Sequence, residues 1–310
     1  MHTRVTSLVA AAVGSGVLAA TAFAMQIDGT DHRDRLRGTP QADVINAKGG
    51  PDLVRARGGD DDVTLGQGAD VAFLGAGNDH ATGGLGADLI IGGLGDDQID
   101  GNEGPDHLFG NAGNDRIEGF RGADFIAGNR GDDYLRGDIP GNGIGGRDRI
   151  FGGPGNDTEI GGDSKDRIHG GEGNDNVDAG NGNDFISGGR GDDSLHGGDG
   201  NDGIFANQGV DEEFGDGGDD DLWALSRHDV TGPNDTTGDT LHGGDGNDTF
   251  HTRDGEQDTV DCGPGNDRVL ADFKDVVDTS CEQVIRKAPG PREDQGENQT
   301  ESPSEDRKEH

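Results

Sequence analysis

Aspartate returns every nine residues through most of this chain. Asp34, Asp43, Asp52, Asp61, Asp70, Asp79, Asp88, Asp97, Asp106, Asp115, Asp124 and Asp133 form one unbroken series. After a shift of 15 it resumes as Asp148, Asp157, Asp166, Asp175, Asp184, Asp193, Asp202, Asp211 and Asp220, and after a shift of 19 it returns as Asp239, Asp248, Asp258 and Asp267. Glycine stands two before the aspartate in 20 of these 25 frames, failing at His32, Gln41, Ser164, Thr237 and Glu256. Val, Ile, Leu or Phe stands two after it in 21, the exceptions being Ala72, Ala81, Glu159 and Glu213. Each unit therefore reads as a turn, an acid, and one inward apolar residue flanked by outward ones, the alternation of a very short strand. Asn or Asp often precedes the key aspartate, as in Gly77-Asn78-Asp79, and tolerates left-handed backbone beside the glycines.

Composition narrows what such a repeat can do. The 310 residues carry a formal charge of −38 and 62 glycines, with 28% hydrophobic and 4% aromatic residues, too few for a conventional layered core. The acidic balance repels phosphate backbones and argues against nucleic acid as a partner. Low hydrophobicity with high charge is otherwise the signature of disorder, so order must come from the repeat or from a ligand that brings positive charge.

The residues resemble the RTX, or haemolysin-type, calcium-binding nonapeptide repeat, GGxGxDxUx with U a large apolar residue. Gly189-Arg190-Gly191-Asp192-Asp193-Ser194-Leu195-His196 is one copy, Gly198-Asp199-Gly200-Asn201-Asp202-Gly203-Ile204 the next, and the match extends over 34–271. The resemblance implies an all-β, right-handed parallel β-roll with 18 residues per coil. Alternate aspartates then lie on opposite edges and bind Ca2+ with the turn carbonyls, all hard oxygen ligands. Asp61, Asp79, Asp97, Asp115 and Asp133 are the expected ligands on one edge, and Asp70, Asp88, Asp106 and Asp124 on the other. Asp157, Asp175, Asp184, Asp193, Asp202, Asp248 and Asp267 continue the set. The frames around Glu159, Ser164 and Glu213 lack a glycine or core residue and are weaker candidates.

Coulomb's law asks for the same ion. Carboxylates at i and i+18 in coils stacked about 4.8 Å apart repel along each edge unless something divalent intervenes. The three series leave about 17 such gaps, so full occupancy would offset nearly all of the −36 carried by residues 25–286.

The remaining segments set the domain plan. Residues 1–24 read as a signal peptide, with Arg4, a short apolar run from Val5 to Ala22 and an Ala22-Phe23-Ala24 cleavage site; a membrane anchor is the alternative. A lead-in follows at 25–33, and insertions interrupt the roll near 138–146 and 222–239, the second carrying Trp223. Phe205 and Trp223 are 18 apart and are expected to be outward neighbours on one sheet. In an exported chain, Cys262 and Cys281, the only cysteines, favour one disulfide in a C-terminal cap over 261–286, with a metal or redox role as the rival. Residues 287–310 are polar and Pro-containing, an expected disordered tail.

Nothing in the sequence points to catalysis. There is no HExxH, GxSxG or Walker loop, and His80, His107, His169, His196 and His242 fall at outward strand positions. Many RTX proteins keep their activity in a separate domain, for which the repeats here leave no room. The expected function is that of an extracellular, monomeric, non-enzymatic calcium-binding protein that folds on its ions, with no membrane span. A cell-surface or polysaccharide partner, with the roll as an adhesive or matrix scaffold, is the alternative, and a carbohydrate-active β-helix enzyme the third reading.

Overall fold

The computed structural model describes residues 4–7, 25–139, 141, 145–224 and 238–288. The expected signal peptide apart from Arg4–Ser7, most of the 222–239 insertion, part of the 138–146 insertion, and all of the tail but its first two residues lie outside them. The fold is an all-β parallel β-solenoid with about 18 residues per turn and about 14 turns, and no helix occurs among the described residues.

The chain forms two compact units, Met1–Arg167 and Ile168–His310. In the first, consecutive strands go alternately to two parallel sheets. Asp62–Gln67, His80–Leu85, Gln98–Glu103 and Arg116–Arg121 are neighbours in one, and Val71–Ala76, Leu89–Leu94, His107–Ala112 and Phe125–Arg130 in the other. The register is 18 residues: Ile99 pairs with Ala81 and Ile117, Leu108 with Ile90 and Ile126. At the start of the unit, Met25–Asp28 already pairs parallel with Asp43–Asn46, while Arg4–Ser7 pairs with it antiparallel.

The second unit repeats the scheme. Asn176–Asn181, Ser194–Asp199, Glu212–Gly217 and Thr240–Asp245 form one sheet; Phe185–Arg190, Gly203–Gln208, Asp221–Trp223 and Thr249–Thr252 form the other. Parallel pairing continues to Gln283–Arg286, beside Arg268–Ala271. Cys262 and Cys281 are disulfide-bonded with their Cα atoms 5.3 Å apart.

Alternation explains the core. The residue two after each aspartate, among them Val63, Ile90, Ile99, Leu108, Ile117, Ile126, Leu195 and Ile204, is fully buried. Each such large side chain contributes about 1.5–3 kcal/mol by leaving water. The expectation of a single inward residue per repeat is incomplete, however. The residue four after the aspartate also points inward: Ala47, Ala56, Leu65, Leu74, Ala179 and Ala206 are fully buried, and glycine occupies this place in most other frames. Glu159 and Glu213 keep the inward position despite their charge and are likewise fully buried. Phe205 and Trp223 are paired outward neighbours with ring centroids 5.5 Å apart, as the spacing requires.

Candidate metal centre

Each repeat aspartate turns into the solenoid wall where the chain passes from one sheet to the other, and nearly all are under 5% exposed. Their two oxygens do different things. On one edge of the first unit, the amide of Asp61 donates to Oδ1 of Asp79, Asp79 to Asp97, Asp97 to Asp115 and Asp115 to Asp133, at 2.7–2.8 Å. On the other edge, Asp70 donates to Asp88, Asp88 to Asp106 and Asp106 to Asp124 at 2.7–2.8 Å. The second unit has the same ladders, from Asp175 to Asp193 to Asp211 and from Asp184 to Asp202 to Asp220 to Asp248 to Asp267.

Oδ2 is the free valence. In Asp61, Asp70, Asp79, Asp88, Asp97, Asp106, Asp115, Asp124, Asp133, Asp193, Asp202, Asp248 and Asp267 it is buried without a hydrogen-bond partner. A buried, unpaired carboxylate oxygen is expensive, which makes these atoms candidate ligands for a cation.

The glycines shape the space in front of it. A Cβ on Gly101 would stand 2.6 Å from Asp106 Oδ2 and 2.9 Å from the Gly119 carbonyl oxygen; one on Gly197 would stand equally close to Asp202 Oδ2 and the Gly215 carbonyl. In these frames a carboxylate oxygen and a carbonyl from the next coil thus converge on space that glycine leaves open, while Leu65 and Leu74 fill the corresponding place in theirs. The donor set is oxygen alone and suits calcium rather than a soft metal.

Electrostatics agree. Burial, opposed by the backbone hydrogen bond and reinforced by aspartates one coil away, pushes the Asp61, Asp97, Asp106 and Asp133 carboxyls up to about 7, and Asp193 to about 8. Outside the ladder of repeat aspartates runs a second one on the same edge. The amide of Asn78 donates to Asp60 Oδ1, Asp96 to Asn78, Asn114 to Asp96, Asp132 to Asn114 and Asn156 to Asp132, at 2.8–3.1 Å. Acid alternates with amide, so no two of these outer carboxylates are adjacent.

All sixteen aspartates expected as ligands sit in the wall at the turns, Asp157 included: its Oδ1 accepts from the Asp133 amide across the six-residue insertion. The insertions leave the ladder intact, because Asp124 reaches Asp148 and Asp211 reaches Asp239 at 2.8 Å. Sequence reasoning did not carry Asp148, Asp166, Asp211, Asp220, Asp239 and Asp258 into the expected set, yet they occupy the same buried position. Their nine-residue spacing was the available signal. It missed Asp138 altogether, which lies off the register, is fully buried, and helps burial and the charges of Asp166 and Asp124 push Asp148 up to about 9.

A family model described as the RTX calcium-binding nonapeptide repeat (4 copies) matches residues 28–63, 37–72, 66–99, 73–108, 100–135, 142–177, 178–213 and 235–269, well over half of the chain. No curated protein matches it.

Proposed function

From the premise that this chain belongs to the family of RTX calcium-binding nonapeptide repeats, we propose that it is an exported protein whose solenoid is completed by calcium and folds on meeting it. The observation that carries this is the column of buried, unpartnered Oδ2 atoms facing glycine-lined pockets. Calcium in these gaps would supply the positive charge that the wall lacks. The chain's own residues do the rest: Oδ1 locks each coil to the next, Oδ2 and the turn carbonyls offer the ligands, and the glycines keep the pocket clear.

Because a preformed site does not exist in the unfolded chain, binding free energy is folding free energy. In a calcium-poor cell interior the acidic chain would stay open and exportable, then close outside, where the leader-like residues 1–24 and the cystine point. The RTX repeat is in general a structural, non-enzymatic unit, so calcium binding itself is the proposed activity, and Asp61 through Asp267 of the ladders its ligands. No helix among the described residues is long and apolar enough to cross a membrane. Circular dichroism with calcium and with chelator tests the proposal: strand signal should appear on adding the ion, and a spectrum indifferent to chelator would sink it.

A scaffold role for adhesion is the second reading, favoured by one feature. Phe185, Phe205, Trp223 and His251 stack in a column, with centroids 5.0, 5.5 and 3.6 Å apart in turn. Such a column suits a sugar face or another ring. Polysaccharide or cell binding that depends on Trp223 would support it.

A further inference from the structure

The second unit ends on an open coil. Gln283–Arg286 closes its sheet, with Arg268–Ala271 on one side and no strand on the other among the described residues. Four of the ten exposed large apolar side chains gather at this end: Phe273, Val276, Val284 and Ile285. Val284 lies beside fully buried Val269 in the inward column, yet it is 39% exposed because no coil follows. We propose that the same end of a second copy covers this one, the two Gln283–Arg286 strands pairing antiparallel about a two-fold axis at Val284.

The backbone sets the register. Gln283 and Lys287 donate their amides to the carbonyls of Asp267 and Ala271, each at 3.0 Å. Backbone groups of alternate residues in a strand turn to opposite sides, so Glu282, Val284 and Arg286 aim theirs at the open edge. An isologous pairing centred on Glu282 or Arg286 would set like charges opposite each other. Centred on Val284, it sets each Glu282 opposite the partner's Arg286 and Val284 opposite the partner's Val284, and all three residues find hydrogen-bond partners for their open groups. Neither charge meets an opposite one within its own chain: Glu282 Oε2 accepts from the Asp267 amide at 2.9 Å, and Arg286 Nη1 donates to the carbonyls of Asp272 and Asp275 at 2.7 and 3.2 Å.

The side chains follow. A two-fold axis perpendicular to the sheet keeps both inward faces on one side, so the core column runs on from Val284 into the second copy. The other sheet ends likewise on an open strand, Val276–Val277, preceded by Phe273 at 72% exposure. Natural proteins blunt or pair such edges, and a matching edge with matching apolar residues is what a second copy brings. Two other covers fit less well. Arg35–Arg37, at the opposite limit of the strand order, buries Leu36 and exposes both arginines, so head-to-tail stacking would bring Arg286 and Lys287 against more basic charge. Residues 289–310 contain no Val, Ile, Leu, Met, Phe, Trp or Tyr to lay over an apolar end, and they open on Pro289-Gly290-Pro291. A dimer thus replaces the monomer expected from sequence, and it rests on the fold rather than on the calcium reading.

Sedimentation equilibrium of the full chain in calcium tests this. The mass should approach twice that of one chain as concentration rises, and stop there. Val284→Lys places two like charges at the axis and should hold the mass at that of one chain, and Val284→Glu should do the same. An equimolar mixture of the two variants should restore the dimer, which variants that had merely unfolded the last coil would not do. A single-chain mass at every concentration overturns the proposal, as does a dimer undiminished by either substitution. Masses that grow beyond two chains mean head-to-tail stacking, and a dimer seen only when the chain is cut after Lys287 means that the tail is the cover; either result also overturns it.

Discussion

The backbone amide of Asp79 donates to Oδ1 of Asp97, 2.8 Å away and 18 residues along the chain, while Asp97 Oδ2 is buried with no hydrogen-bond partner. One oxygen is spent on holding coils together and the other, unpartnered, is the one that the proposed function gives to an ion. This division makes the two roles separable by mutation.

Asp97→Asn keeps an acceptor for the Asp79 amide and removes the buried charge. Without calcium the variant should equal or exceed wild type in stability, by about 1–3 kcal/mol for the relieved oxygen. With calcium the order should reverse, because a ligand is gone. Urea midpoints measured in chelator and in excess calcium decide this; the same ranking in both would mean that Asp97 is a structural residue only.

Proton linkage gives a second outcome. Burial first, then neighbouring aspartates, raise the folded carboxyls of Asp61, Asp97, Asp106 and Asp133 to about 7 against an ordinary 3.8. Between those values the folded chain holds protons that the unfolded chain has released. Stability without calcium is therefore greatest at about pH 4 and falls until about pH 7, where the folded carboxyls also ionise. Calcium must displace these protons, so its affinity should rise over the same range. Melting temperatures of chelated protein at steps between pH 4 and 8 should descend; a rise would contradict the pKa assignment.

Gly101→Ala places a methyl group between Asp106 Oδ2 and the Gly119 carbonyl, 2.6 and 2.9 Å from them. Gly101 does not have positive φ, so the cost is steric. The variant should lose about 1–3 kcal/mol and release calcium from that gap. Ion content by mass spectrometry alongside a melt checks it, and full calcium content would mean that the pocket is not the site.

Reducing the Cys262–Cys281 bridge frees a loop of 19 residues, worth about 3 kcal/mol by chain entropy. The effect should be local to the last coils. Hydrogen exchange should quicken in Arg268–Ala271 and Gln283–Arg286, and stay slow at Leu89–Leu94 in the first unit.

Much of this was legible from spacing. Period, strand alternation and the outward pairing of Phe205 with Trp223 follow from counting, because a solenoid converts sequence distance into stacking. Glu213 and Ala206 show where counting stopped. A glutamate in the apolar column looks like an exception yet is fully buried, because backbone hydrogen bonds to neighbouring coils hold the register through one unfavourable side chain, and the second inward place, four after the aspartate, where Ala206 sits, shows only once the strands are stacked.

By itself the sequence determined the nine-residue repeat of aspartate and the glycines within it, since those are properties of residues close along the chain; the two edges came from the resemblance. Only the tertiary structure decided that the aspartates are buried and that Oδ1 is taken and Oδ2 left. Both depend on how coils stack. Asp79 and Asp97 become neighbours only when the chain has wound once around the core.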